Sequence, residues 1–325
     1  MKRTIKRLIG VVATIGLIFY GIIKLGYWLR PVDTDIATNA IDTFHNMPED
    51  VFEVIGYGSS HMWRGMNAME LYNKYGIGSY NYGCNWQKIN TTQLFLEDSL
   101  KTQRPRVALI ETFNVNCLEL DMNIDGEIYY TTAIAEGTAK QRYLKQCFRY
   151  EKERYLSYYM PLCAFHDNWI NLTRESFQKD NTYTSNFYKT MGFVESTAVK
   201  PVNIPNPANA VQYELNILSL QTLDNIVSIC KENGVDIIFY TAPWEGEYNY
   251  SDAMKEYAAN NGYAYFNLFE YIDDIGIDST TDFSDEGHLN TRGATKVADF
   301  LGNYLVTHYD LTDFRNIDNN LWEHY

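Results

Sequence analysis

Residues able to carry out nucleophilic chemistry stand at the two ends of the body of this chain. Val51 to Tyr57 leads into Gly58-Ser59-Ser60, and far downstream Ser284-Asp285-Glu286-Gly287-His288-Leu289-Asn290 precedes Gly293, Ala294 and a helical stretch. A serine hydroxyl becomes a nucleophile when a base takes its proton and donors stabilise the oxyanion that forms. Asp285 and His288, three apart in a loop, let the carboxylate hold the imidazole in one tautomer while its other nitrogen faces Ser60. His288 is then the general base, since an imidazole titrates near neutral pH. Taken alone, Gly58-Ser59-Ser60 also suits a helix N-cap, a common structural use of serine. No Cys-x-x-Cys occurs among Cys84, Cys117, Cys147, Cys163 and Cys230, so neither a metal site nor a cofactor is expected. With five cysteines, at least one thiol per chain has no partner within it.

Delivering a hydroxyl to an imidazole across such a separation requires a sheet whose strands end at one edge. The β-rich run Val51–Tyr57 is followed by a helical pattern over Met66–Tyr75 closed by Gly76. Gly78–Gly83 reads as a second strand, Ile89–Thr102 as a helix, and Arg106–Phe113 as a third strand. The consecutive apolar residues Val107 to Ile110 suit a parallel strand covered on both faces. Tyr213–Asn233 is a helix ending at Gly234, Asp236–Ala242 a strand, Ala253–Asn261 a helix, Ala264–Leu268 a strand, and Thr291–Val306 a closing helix. This alternation predicts an α/β fold, a three-layer α/β/α sandwich around a mainly parallel five-stranded sheet. Residues 115–210, rich in aromatics (Tyr129, Tyr130, Tyr143, Tyr155, Tyr158, Tyr159, Trp169), are too many for a simple crossover and read as an inserted cap.

With both blocks in place, the sequence resembles the SGNH/GDSL hydrolase family, whose first block centres on Gly-Asp-Ser and whose last is Asp-x-x-His. Gly58-Ser59-Ser60 has Ser for the middle Asp, as in the DltD-like exported subgroup, and Asp285-Glu286-Gly287-His288 matches the last block directly. The resemblance spans Val51 to about His308. It implies that Gly83, in Tyr80-Asn81-Tyr82-Gly83, joins the Ser60 amide in the oxyanion hole. The third block, Gly-x-Asn, has only a partial counterpart in Thr112-Phe113-Asn114, which makes Asn114 the expected further donor. A His-x-x-Trp element similar to that of exported relatives places His166 near the site.

His61 follows the nucleophile and either lines its pocket or packs on neighbours; Trp244, just after the fourth strand, either stacks on a sugar or packs the insertion. His45, His308 and His324 lie in polar flanks and read as solvated.

At the N-terminus, Lys2, Arg3, Lys6 and Arg7 precede an apolar run from Leu8 to Leu29, about 20 residues and long enough to cross a bilayer. The positive-inside bias keeps those charges in the cytoplasm and puts the body outside. No Ala-x-Ala-like cleavage site follows, so residues 1–30 are expected to stay as an anchor, with Tyr27 and Trp28 at the interface and Arg30 snorkelling to head groups. Residues 31–50 read as a stalk, 51–308 as the catalytic domain and 309–325 as a tail. Six of the 27 Lys and Arg precede residue 31, whereas all 41 Asp and Glu follow it, so the exported part carries about −20. That charge repels nucleic acid, which is excluded as a partner.

The expectation is a single-pass, extracytoplasmic serine O-acyltransferase of a bacterial cell membrane, taking an acyl donor to a cell-surface glycan or teichoic-type polymer. The resemblance implies a membrane-bound O-acyltransferase as partner. The alternatives are a carbohydrate or lipid esterase with the same triad, and a non-catalytic scaffold or glycan-binding protein of an envelope assembly, since fold does not dictate function.

Overall fold

The computed structural model describes residues 2–30, 36–118, 131, 133, 134, 136–147, 160–177, 189–317 and 321–324. Of the aromatic residues expected in the cap, Tyr129, Tyr130, Tyr155, Tyr158 and Tyr159 lie outside the described residues, as do the first five residues of the expected stalk.

Five short strands, β1 (Val54–Tyr57), β2 (Ser79–Asn81), β3 (Val107–Glu111), β4 (Asp236–Thr241) and β5 (Ala264–Asn267), pair in the order β2-β1-β3-β4-β5. Every pairing is parallel, so all five carboxyl ends face one edge. Period-2 alternation divides each strand between two cores. Ile55, Tyr57, Ala108, Ile110, Ile237 and Phe239 face one, while Val54, Val107, Leu109, Ile238 and Tyr240 face the other. Helices α5 (Ile89–Ser99) and α8 (Ile217–Asn233) pack together over the first face, α4 (Ala68–Tyr75) and α10 (Thr291–His308) over the second. The result is the expected α/β fold, a parallel sheet between two helical layers. In such sheets ligands settle at the carboxyl edge where the strand order reverses, here between β1 and β3.

β1 and β3 are shorter than the runs that announced them, because residues 51–53 precede the first strand and Thr112 and Phe113 already leave the third. Among the described residues of the insertion, α6 (Thr138–Cys147) packs against α5, and α7 (Pro161–Phe165) packs along α1 (Lys2–Leu29). Neither covers the carboxyl edge at β1 and β3.

The α1 helix is long and apolar enough to cross a membrane, and it is exposed from Thr4 to Gly21. In its last turn Trp28 stays exposed, but the chain then enters the body. Leu29 joins the core, and Arg30 is buried in an ion pair with Asp42 at 2.6 Å instead of snorkelling.

The expected stalk is likewise corrected. Helix α2 (Ile36–His45) packs into the body, with Ile41 and Phe44 fully buried. Phe44 stacks on Tyr82 at 4.2 Å, and the Tyr80 hydroxyl donates to the Ala40 carbonyl. His45 is not simply solvated: its Nε2 lies 2.7 Å from the buried Asp98, which also accepts from the Tyr82 hydroxyl. At the other terminus Trp322 is buried against Tyr72 and Phe52, so the tail is packed.

Phe44→Ala should therefore cost about 3–5 kcal/mol, a typical range for emptying a core aromatic site. This reads as a lowered unfolding midpoint of the full chain; an unchanged midpoint would return residues 36–45 to the role of a loose stalk.

Candidate active site

Strand β1 ends at Tyr57, and the chain turns through Gly58 and Ser59 into the short helix α3 (Ser60–Trp63). Ser59, not Ser60, is the N-cap: its hydroxyl accepts from the His61 N–H at 3.3 Å. The N-cap reading of the turn is thus satisfied by the first serine, and Ser60, the first helical residue, is left facing outward at the sheet edge. Two glycines make this turn possible. A Cβ on Gly58 would lie 2.6 Å from the Cβ of Glu111, and one on Gly83 would lie 2.4 Å from the Gly58 carbonyl oxygen. The loops after β1, β2 and β3 thus press together too closely for any side chain at those two positions.

The loop before α10 brings the partners. His288 Nε2 is 2.7 Å from Ser60 Oγ, and His288 Nδ1 is 2.7 Å from Asp285 Oδ1. With Nδ1 donating to the carboxylate, Nε2 is the acceptor for the serine proton. Burial tends to raise the Asp285 pKa, but the Gly287 N–H, His288 and the nearby Arg64 outweigh it and hold it below the usual carboxylate range. Arg64 Nη1 reaches Asp285 Oδ2 at 3.2 Å. It stands four residues after Ser60 on the same helical face, a spacing visible in the sequence but not used there.

These groups open into a cleft of about 490 Å³ with aromatic walls: His61, Trp63, Trp86, Phe113 and Trp244 line it with the triad. His61 stacks on Phe113 at 4.0 Å and meets Trp244 edge-on at 5.2 Å. Burial, reinforced by His288, drives its pKa down to about 3, so His61 is a neutral wall of the cleft. Trp244 lines the cleft and packs against Phe113 and Phe269, which lie outside the insertion it was expected to pack.

Two expectations change. The Asn114 side chain turns away, donating to the Gln87 carbonyl at 3.2 Å, and Asn85 takes the place of a cleft-lining amide. His166 lies in the two-turn 3₁₀ helix His166–Asn171 beside α1, exposed and next to Asp167, and is not part of the cleft. Gly83, expected to supply an oxyanion amide, lies against the backbone of the turn at Gly58 and is not a wall of the cleft. Asn85 and Trp86 belong to a loop without periodicity, so pattern reading had no handle on them. A smaller cleft of about 200 Å³ between α8 and α9 (Ser251–Asn261) is lined by Glu214, Glu256 and Tyr257 and holds no serine, cysteine or histidine. Among the described residues no cluster of His, Cys, Asp and Glu is able to hold a metal ion.

Beneath the site lies a buried acid that sequence reasoning passed over. Glu111, the last residue of β3, accepts from the Ser59 hydroxyl at 3.0 Å and from the Phe113 N–H at 2.6 Å, tying the nucleophile turn to the neighbouring strand. Burial raises its pKa from an ordinary 4.5 to about 7, against the pull of those hydrogen bonds. A carboxyl whose folded pKa lies above its unfolded one binds more protons in the native state, so its contribution to stability is lost as pH rises through that interval. Stability should accordingly fall between about pH 4.5 and pH 7 by up to roughly 3 kcal/mol relative to a Glu111→Gln variant. Parallel denaturant titrations of the two proteins measure this; equal slopes in that window would refute it.

No family model matches the chain, and no curated protein is detectably similar to it in sequence.

Proposed function

We propose that this protein is a membrane-anchored serine O-acyltransferase of the SGNH type, acting outside the cell on a glycan. The observation that carries the proposal is the continuous hydrogen-bonded series Ser60–His288–Asp285 at the carboxyl edge of the sheet. His288 Nε2 takes the Ser60 proton as Oγ attacks the carbonyl of an ester or thioester donor. The Ser60 amide receives the oxyanion, since those of His61 and Met62 are already given to Ser59. Collapse of the tetrahedral intermediate breaks the bond to the leaving alcohol or thiol, which departs with the proton from His288, and acyl-Ser60 remains. A hydroxyl of the acceptor then gives its proton to His288, attacks the acyl carbon and releases Ser60.

The aromatic walls favour a sugar over water as the usual acceptor. Trp86, held at a positive φ of 52°, leaves its ring largely exposed at the mouth of the cleft, 6.0 Å from Phe113. A flat indole at the mouth of an acylation site suits the apolar face of a pyranose ring. The strongly acidic exported part argues for a neutral or zwitterionic acceptor over a polyanion. The core packing of Leu29 and Arg30 supports retention of α1 as an anchor, since cleavage after them would remove part of the fold.

Acylation by an activated ester and its transfer to a soluble oligosaccharide test the proposal in one assay. Ser60→Ala should abolish acylation. Trp86→Ala should leave acylation intact while raising the acceptor concentration needed for transfer by up to about tenfold. Release to water alone, unaffected by any oligosaccharide, would make the protein an esterase.

A further inference from the structure

The part of the insertion between α7 and Phe177 does not serve the cleft, and its own chemistry points elsewhere. Helix α7 lies along the end of α1, and the two following 3₁₀ helices, His166–Asn171 and Glu175–Phe177, also touch α1. The contacts are specific. Asn168 Nδ2 donates to the Leu29 carbonyl at 2.7 Å, satisfying a carbonyl that the end of α1 leaves without a helical partner. The Trp28 and Phe177 rings meet edge to face at 5.5 Å.

Beside these contacts the segment turns large apolar side chains to the outside. Trp169 is 66% exposed, Ile170 68% and Phe177 52%, with Trp28 next to Phe177. At 1.5 Å per residue, an apolar stretch starting at Leu8 fills about 30 Å of hydrocarbon by Tyr27. Trp28, Trp169, Ile170 and Phe177 therefore sit at the level of the head groups, where Trp and other large apolar side chains are favoured. The charges along 161–177 are Asp167, Arg174 and Glu175, with His166 beside Asp167, so this surface lacks the dense negative charge of the rest of the body.

We infer that residues 161–177, together with Trp28, form a lipid-facing foot that seats the body in the outer head-group layer. The occupant of this apolar surface is the bilayer itself, continuous with the lipid around α1. Because Leu29 and Arg30 are locked into the core, the foot and the span act as two fixed points that hold the body, and the cleft with it, at one tilt to the membrane. The inference uses α1 as a span and is independent of the chemistry assigned to Ser60.

Nitroxide labels in full-length protein reconstituted into phosphatidylcholine vesicles test it. Cys117 and Cys163, the exposed thiols, are replaced by Ser, while the buried Cys84, Cys147 and Cys230 remain. Labels go at Trp169→Cys, Ile170→Cys and Phe177→Cys, with a control at Lys255→Cys on the helix packed against the edge strand β5. At the three foot positions oxygen, which concentrates in lipid, should relax the label more strongly than a water-soluble nickel chelate, and at the control the order should reverse. Nickel dominating at all four positions would overturn the inference. Labels at the foot that neither reagent reaches would also overturn it, assigning the surface to a second protein chain. Fluorophosphonate labelling of Ser60 in the same vesicles reads the catalytic reading separately.

Discussion

The close approach of three loops at the carboxyl edge of the sheet is the constraint on which the site depends. The turn after β1 carries the nucleophile, and the loop after β2 lies against its backbone at Gly58 through Gly83. The end of β3 grips it from below through Glu111. Only then does the loop before α10 find a serine hydroxyl standing 2.7 Å from His288 Nε2. Close packing transmits such constraints stiffly, so a side chain at either glycine would displace the nucleophile itself.

Glu111 illustrates how the Ser59–Ser60 turn is held by a group that costs stability. A buried carboxylate accepting hydrogen bonds from Ser59 and the Phe113 N–H fixes the turn, yet the same burial penalises its charge and raises its pKa to about 7. His61 shows a different solution to burial. Stacked on Phe113 and crowded by Trp244, it stays neutral and contributes shape to the cleft, leaving His288 as the imidazole within hydrogen-bond reach of Ser60.

Much of this was legible from residue order alone. The consecutive apolar runs of β3 and β4, the glycine at the end of α8 and the strand-helix alternation required a parallel sheet. Asp285 and His288 at a spacing of three, paired with a serine after the first strand, indicated the triad. What stayed hidden depended on contacts distant in sequence. The stretch 31–50 looks polar because the few apolar residues of α2, notably Ile41 and Phe44, are diluted by Asp42, Thr43 and His45; their partners, Tyr80 and Tyr82, come from around β2. Arg30 looked like an interfacial cation because Asp42, its partner, was not known to fold back beside it. Asn114 and Asn85 are both loop amides, and only the path of the loop after β2 decides which one meets the cleft.

The central claim is that Ser60 is a nucleophile activated by His288. Treating the full chain in detergent or vesicles with a serine-reactive fluorophosphonate, then mapping the adduct by peptide mass, tests it most directly. The account predicts one modified residue, Ser60, and loss of that adduct in His288→Ala with the fold intact. An unmodified Ser60 in folded wild-type protein, or equal labelling in the His288→Ala variant, would contradict it.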